Sequence, residues 1–209
     1  MKRNNSIKNI IRNCILFPHK KRLELSNSKY ELFKRDNFKL SKEYNRGNDI
    51  KDYYDVVVAG SDQIWNITIK DADDAYFLNW VKKSKKVAYA PSFGAKKISS
   101  YTKDVNKYIT FLQSFDALSI REKNGQKWIK EMIDVDVPVL IDPTLLFNSS
   151  EYDKIIDKEY KLPKEEYIFF YCPQFNVEIC KFVKKISKRY NLPVIAWSAK
   201  SYYLKGVNL

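Results

Sequence analysis

The chain has 209 residues, 44% hydrophobic and 15% aromatic, which supports one large domain or a domain with an extension and excludes wholesale disorder. Its net charge is +13, but residues 1–46 hold 13 Lys/Arg against 4 Asp/Glu, so the excess belongs mainly to the N-terminal segment. A single histidine, His19, and three cysteines without CxxC spacing (Cys14, Cys172 and Cys180) exclude a histidine-based zinc site, a Ser-His-Asp triad and a disulfide framework.

No run reaches the roughly 18 apolar residues of a spanning helix, and no signal-peptide pattern is present. The expectation is a cytoplasmic protein, soluble or peripheral. Ile7, Ile10, Ile11, Cys14 and Ile15 fall at helical spacing, predicting an amphipathic helix over residues 6–17, closed by Pro18 and followed by Lys20, Lys21 and Arg22. Such a helix packs on its own domain, its commoner use, or rests through residues 6–22 on an anionic membrane surface. A second helix is predicted from Ser28 to Phe38. No stacking motif accompanies the charge, so nucleic acid is not an expected partner. Asn45-Arg46-Gly47-Asn48 reads as the linker, dividing a basic helical extension (1–46) from the main domain (47–209).

From Lys51 onward strands and helices alternate. Strands are predicted at Tyr54–Ala59, Lys86–Ala90, Ala117–Ile120, Val137–Ile141, Tyr167–Tyr171 and Val194–Trp197. Helices are predicted at Ser100–Gln113, Gly125–Ile133, Glu151–Asp157 and Val177–Tyr190, the last with Ile179, Val183, Ile186 and Tyr190 on one face. This order gives an α/β fold: a Rossmann-like, mostly parallel sheet with helices on both faces. Right-handed crossovers then set every strand's carboxyl end on one edge.

Four strands run directly into polar turn residues. They are Gly60-Ser61-Asp62-Gln63, Pro91-Ser92-Phe93-Gly94, Arg121-Glu122-Lys123 and Asp142-Pro143-Thr144. Ligands of open α/β sheets bind at that edge, so Asp62, Ser92, Arg121 and Asp142 are expected along one rim. The chain lacks a Gly-x-Gly-x-x-Gly fingerprint and a Walker loop, which disfavours classical NAD or ATP binding. Structural roles compete at each position. Trp65 also suits a core, Arg121-Glu122 an internal ion pair, and Asp142 a cap on the turn behind Pro143.

In order and spacing, these motifs resemble the polysaccharide pyruvyl transferase family. The match runs through Val-Ala-Gly-Ser-Asp-Gln-Ile-Trp-Asn (58–66), Tyr76-Phe77-Leu78, Tyr89-Ala90-Pro91-Ser92-Phe93-Gly94, Ser119-Ile120-Arg121-Glu122 and Ile141-Asp142-Pro143-Thr144-Leu145-Leu146. The resemblance implies one half of a glycosyltransferase-B-like architecture. It also implies an enzyme that moves an enolpyruvyl unit from phosphoenolpyruvate to two sugar hydroxyls in cell-surface polysaccharide biosynthesis. Family members carry a second half with a Ser-Phe-His-Gly-like motif, which the sequence to Leu209 does not contain. The chain is therefore expected to be truncated and inactive alone, needing that half or a partner chain.

Phosphoenolpyruvate needs cations to hold its phosphate and carboxylate, an acid to protonate its methylene carbon, and a base for the attacking hydroxyl. No metal or redox cofactor is implied. Asp62 is the expected catalytic residue, on the acceptor hydroxyl. Gln63, Trp65 and Asn66 are expected to form the sugar platform, with Gly60, Ser61, Ser92, Phe93, Gly94, Arg121, Glu122 and Asp142 completing the substrate-binding set. The alternative is a non-catalytic remnant, a basic domain that binds a surface or a glycan.

Overall fold

The computed structural model describes residues 20–44, 47–156, 164–172 and 177–197. The helix expected over residues 6–17, with Cys14 and His19, lies outside them, as do Asn45-Arg46 and the C-terminal residues from 198. The elements in chain order are α1 (Lys20–Asn37), β1 (Val56–Ala59), β2 (Lys85–Ala88), α2 (Val105–Gln113), β3 (Ala117–Leu118) and α3 (Lys123–Ile133). They continue with α4 (Ser149–Tyr152), β4 (Ile168–Tyr171), α5 (Val177–Tyr190) and β5 (Val194–Trp197). No described helix is long and apolar enough to cross a membrane.

The chain divides into two compact units, residues 42–156 and residues 1–41 with 157–209. In the first, β1, β2 and β3 form a parallel sheet in that order, with Val58 opposite Val87 and Ala59 opposite Ala88. A single parallel bridge from Ile120 to Val139 extends it. The strand predicted over Val137–Ile141 is thus reduced to one bridge. Pro138, which has no N–H to give a ladder, sits inside that stretch, and its carbonyl accepts from Ile120.

Residues that pair across parallel strands share a face. Val57, Ala59, Ala88 and Leu118 lie on the core side; Ala88 and Leu118 belong to the cluster with Tyr108 and Leu112 of α2 and Ile129 of α3, and Val57 and Ala59 to one with Leu78 and Val81. Val56 and Val58, on the other side, are exposed, so the two-sided cover expected from three consecutive valines is seen on one side of β1. Helix α2 starts at Val105, not at Ser100. Asp104 caps it by accepting the Lys107 N–H, and residues 98–100 form a separate 3-10 turn. Ahead of β1, the Asp52 carboxylate takes the Lys82 N–H at 2.6 Å and meets the Ser84 hydroxyl, fixing the turn into β2.

The core of this unit is built on Trp65. It is fully buried, stacked on Phe77 with ring centroids 5.2 Å apart, and flanked by Phe93 at 5.5 Å and Phe115 at 5.6 Å. Its indole N–H donates to the Tyr76 carbonyl at 3.1 Å, so its polar atom is satisfied inside the protein.

In the second unit, β4 and β5 form a parallel pair, Ile168 opposite Val194 and Phe170 opposite Ala196. Cys180 and Val183 of α5 are buried, whereas Tyr190 is exposed, so the apolar face predicted for that helix ends before its last turn. Burial pushes the Cys180 thiol up, away from the reactive thiolate. Helix α1 begins eight residues before the predicted Ser28. Its exposed face carries the Glu31–Lys34 pair at 3.0 Å.

Candidate active site at the carboxyl edge of the sheet

Backbone hydrogen bonds draw the loops of the first unit together. The Tyr89 N–H donates to the Ala59 carbonyl at 2.8 Å, Ser92 to Asp62 at 2.8 Å, and Trp65 to Ser92 at 3.2 Å, joining the loops after β1 and β2. Arg121 N–H donates to the Pro91 carbonyl at 3.1 Å, and Leu140 to Ile120 at 2.9 Å, tying in the segments after β3 and after Val139. The four turns therefore meet along one edge, as parallel connections require.

Gly60 makes the first approach feasible. A Cβ at this position would lie 2.0 Å from the Tyr89 carbonyl oxygen, and φ is +150°. Gly60→Ala should accordingly lose about 2–4 kcal/mol of unfolding free energy from overpacking plus backbone strain, read by urea denaturation. A variant as stable as the parent would show that the loops need not approach so closely.

Asp62, Arg121 and Asp142 converge. Asp62 adopts a left-handed conformation, φ 59°, which aspartate tolerates, and its side chain is 86% exposed. The Arg121 guanidinium is 23% exposed. It donates to Asp142 at 2.7 Å and to Glu122 at 3.0 Å, and stands 3.7 Å from Asp62. Burial works against its charge, but the Glu122 and Asp142 hydrogen bonds outweigh this and raise its pKa. Ser61 Oγ lies 3.0 Å from Asp142 Oδ2 and 2.9 Å from the Ala90 carbonyl, so its one proton goes to either.

Asp142 is held most firmly. Its Oδ1 accepts from the Thr144 N–H at 3.0 Å and the Thr144 hydroxyl at 2.8 Å. Those bonds, with the Arg121 and Ser61 contacts, outweigh partial burial and lower its pKa from 3.8 to about 2. A depressed carboxylate stabilises the fold fully above its unfolded pKa, and that contribution fades as pH falls through about 2. Asp142→Asn should therefore cost about 1.5–3 kcal/mol near neutrality, where a charged hydrogen bond is lost, and the difference from the parent should shrink between about pH 4 and pH 2. Acid denaturation of the two proteins side by side measures it. A gap that stays constant across that range would remove Asp142 as the titrating group.

The remaining expected site residues divide by burial. Gln63 is exposed. Trp65, Asn66, Ser92 and Phe93 are buried, and each is satisfied internally. Asn66 donates to Gln63 and accepts from Thr68, and Ser92 Oγ accepts the Gly94 N–H at 3.0 Å. A sugar platform made of Trp65 and Asn66 is thus not what this arrangement presents, because the indole has no face left for a ligand. Gly94, φ 65°, packs so closely that a Cβ would fall 2.3 Å from Asn66 Nδ2. These residues build the wall behind the rim. Arg121, expected to bind substrate or to form an internal pair, is engaged by carboxylates of its own edge. Thr144 lies in one of the four turns read from the sequence, but its role as the partner that holds Asp142 is not among those expectations. The Asp-Pro-Thr order, in which a carboxylate can hold the amide and hydroxyl two residues on, was its signal.

One guanidinium among three carboxylates leaves the edge with an excess of negative charge. It suits hydroxyl donors and repels anions. Among the described residues no group of three or more His, Cys, Asp or Glu is arranged to hold a metal ion.

The family model for polysaccharide pyruvyl transferase matches residues 2–202, nearly the whole chain. The chain belongs to the polysaccharide pyruvyl transferase family. No curated protein and no solved structure matches it. Family membership makes a transferase-type, polysaccharide pyruvyl transferase-like function the starting point for reading the rim. The α/β fold with its parallel sheet is compatible with the Rossmann-like architecture expected of such a member.

Proposed function

We propose that the chain forms the acceptor side of an enzyme that transfers an enolpyruvyl unit from phosphoenolpyruvate to a sugar or polysaccharide precursor. The carrying observation is the exposed Asp62 carboxylate beside a fully engaged Arg121. A neutral hydroxyl is welcome there and a doubly anionic donor is not, so the donor's cations belong elsewhere. A second Rossmann-like half, in a glycosyltransferase-B-like arrangement, or a partner chain would supply them.

In the proposed reaction a proton adds to the methylene carbon of phosphoenolpyruvate and C2 becomes electrophilic. The first sugar hydroxyl attacks C2, giving its proton to Asp62 as the carbon–oxygen bond forms. The carbon–oxygen bond to phosphate then breaks and a second hydroxyl of the same acceptor attacks C2, its proton passing to the departing phosphate; the proton held by Asp62 returns to the acid that protonated the methylene carbon. The products are a pyruvate ketal and hydrogen phosphate, so atoms and charges balance. The Ser61–Asp142–Arg121 network fixes the loop that carries Asp62 and takes no part in bond making. Since the donor is a metabolite of the cytoplasm, the reading puts the reaction there, at the membrane's inner face if the acceptor is lipid-linked.

The test is phosphate release from phosphoenolpyruvate with candidate glycans, using the chain alone and supplemented with the C-terminal half of a polysaccharide pyruvyl transferase. Glycan-dependent release in either arrangement supports the reading. Sugar binding without release in both would replace it with a glycan-binding remnant.

A further inference from the structure

Strand β1 forms one edge of its three-stranded sheet, and among the described residues no strand lies beyond it. Its ladder to β2 fixes which main-chain groups are left over. The Asp55 carbonyl accepts from Lys85 at 3.0 Å and the Ala59 carbonyl from Tyr89 at 2.8 Å, so the odd-numbered residues turn toward β2. Val56 and Val58 therefore turn their N–H and C=O groups away from the sheet. Their side chains lie on its uncovered face, 46% and 57% exposed. Edges of this kind are ordinarily blunted by lysine or proline, and Val56-Val57-Val58-Ala59 has neither.

The register decides what fits. Antiparallel strands bond where residues with outward groups face each other. A second copy of β1 can run antiparallel along this edge with a two-fold axis at Val57, so that Val56 of each copy faces Val58 of the other. Each such pair exchanges both its N–H···O bonds, and every outward group of Val56 and Val58 is used. The valines then meet across the junction on the uncovered face, a favourable pairing of β-branched side chains. Asp55 falls opposite Ala59, so no like charges face each other. Neighbouring registers are poorer. An axis at Val56 would set Val58 opposite Tyr54, whose carbonyl already accepts from the Ser84 hydroxyl. An axis at Val58 would set Val56 opposite Gly60, where φ is +150° and the strand has ended.

We propose that β1 is a self-complementary interface through which two copies of the chain join their sheets antiparallel, with Val57 on the two-fold axis. Pairing uses up the β1 edge of both copies, so the assembly closes as a dimer. The junction is short, which places it among weak, reversible contacts. Antiparallel pairing sends the two Asp62 rims to opposite ends of the joined strands and leaves each of them open. The inference does not depend on the pyruvyl-transfer reading.

Sedimentation equilibrium over a series of protein concentrations, with amide hydrogen exchange on the same samples, tests it. The expected result is a monomer–dimer equilibrium in which the Val56 and Val58 amides become protected as dimer forms. Val58→Pro removes an outward donor without taking a bond from the β2 ladder, and Val56→Lys sets a charge among the valines. Each should weaken association by about tenfold or more. Adding Val58→Glu to Val56→Lys should recover most of that loss, because this register sets residue 56 against residue 58 of the other copy. Urea denaturation checks the fold of each variant, and the Lys/Glu pair, which keeps every main-chain donor, carries the test if the proline variant misfolds. A monomer at every concentration would overturn self-pairing and leave the edge to a strand of another chain. A dimer indifferent to the variants, freely exchanging Val56 and Val58 amides in the dimer, no recovery in the Lys/Glu pair, or open-ended aggregation would overturn it too. Phosphate release should be the same in Val56→Lys as in the parent, so loss of the dimer and failure of the transferase reading are told apart.

Discussion

On the proposed pyruvyl-transfer reading, Asp62→Asn should lower glycan-dependent phosphate release by about 100-fold or more and leave the unfolding free energy within about 0.5 kcal/mol of the parent. The first half of that expectation follows from the size of a general base's contribution, about 10²–10⁴-fold. The second follows from exposure: the side chain is 86% accessible, and its one ion-pair partner among the described residues, Arg121, is 3.7 Å away. Asparagine is the sharper replacement because it accepts the left-handed backbone at this position, φ 59°. Asp62→Ala should show the same kinetic loss with about 1–2 kcal/mol of added conformational cost. Phosphate-release kinetics and urea denaturation on the same preparations separate the two quantities. Full turnover in Asp62→Asn would move the base to another residue.

Trp65→Ala should destabilise the protein by about 3–5 kcal/mol, the range for deleting a large aromatic from a core. The ring is central to the aromatic cluster of the first unit, against Phe77, Phe93 and Phe115. Trp65→Phe retains much of that contact but leaves the Tyr76 carbonyl without its donor, and should cost less, about 1–3 kcal/mol. Neither variant, while folded, should change sugar affinity at the rim directly. If Trp65→Ala melted with the parent but lost sugar binding, the indole would be a ligand platform after all.

Much of the sheet was readable because its signals are local. The valine run at 56–58 and the apolar positions of α3 announce their elements, and the parallel direction of the strands is what alternation with helices implies. The polar turns at the strand ends were readable because parallel topology leaves one edge for them. What each turn's side chains do there was not. Trp65 and Asn66 occupy the same short motif as Asp62, yet the chain reverses between them, and burial separates neighbours that composition cannot. The saturation of Arg121 depends on Asp142, 21 residues away, and on Asp62, 59 residues away, so no window of sequence contains it. Asp52 is a similar case, since its partners Lys82 and Ser84 come from the entry to the next strand.

The rungs that join the four turns are main-chain bonds, Ser92 to Asp62, Trp65 to Ser92, Arg121 to Pro91, and Leu140 to Ile120. Main-chain rungs survive changes of side chain. Side chains of these turns that project outward without an internal partner can therefore change without redrawing the scaffold, whereas Gln63 is tied to buried Asn66. The edge would also meet its acceptor already assembled, losing little disorder on binding, so selectivity among sugars would be set by fit to a stiff template.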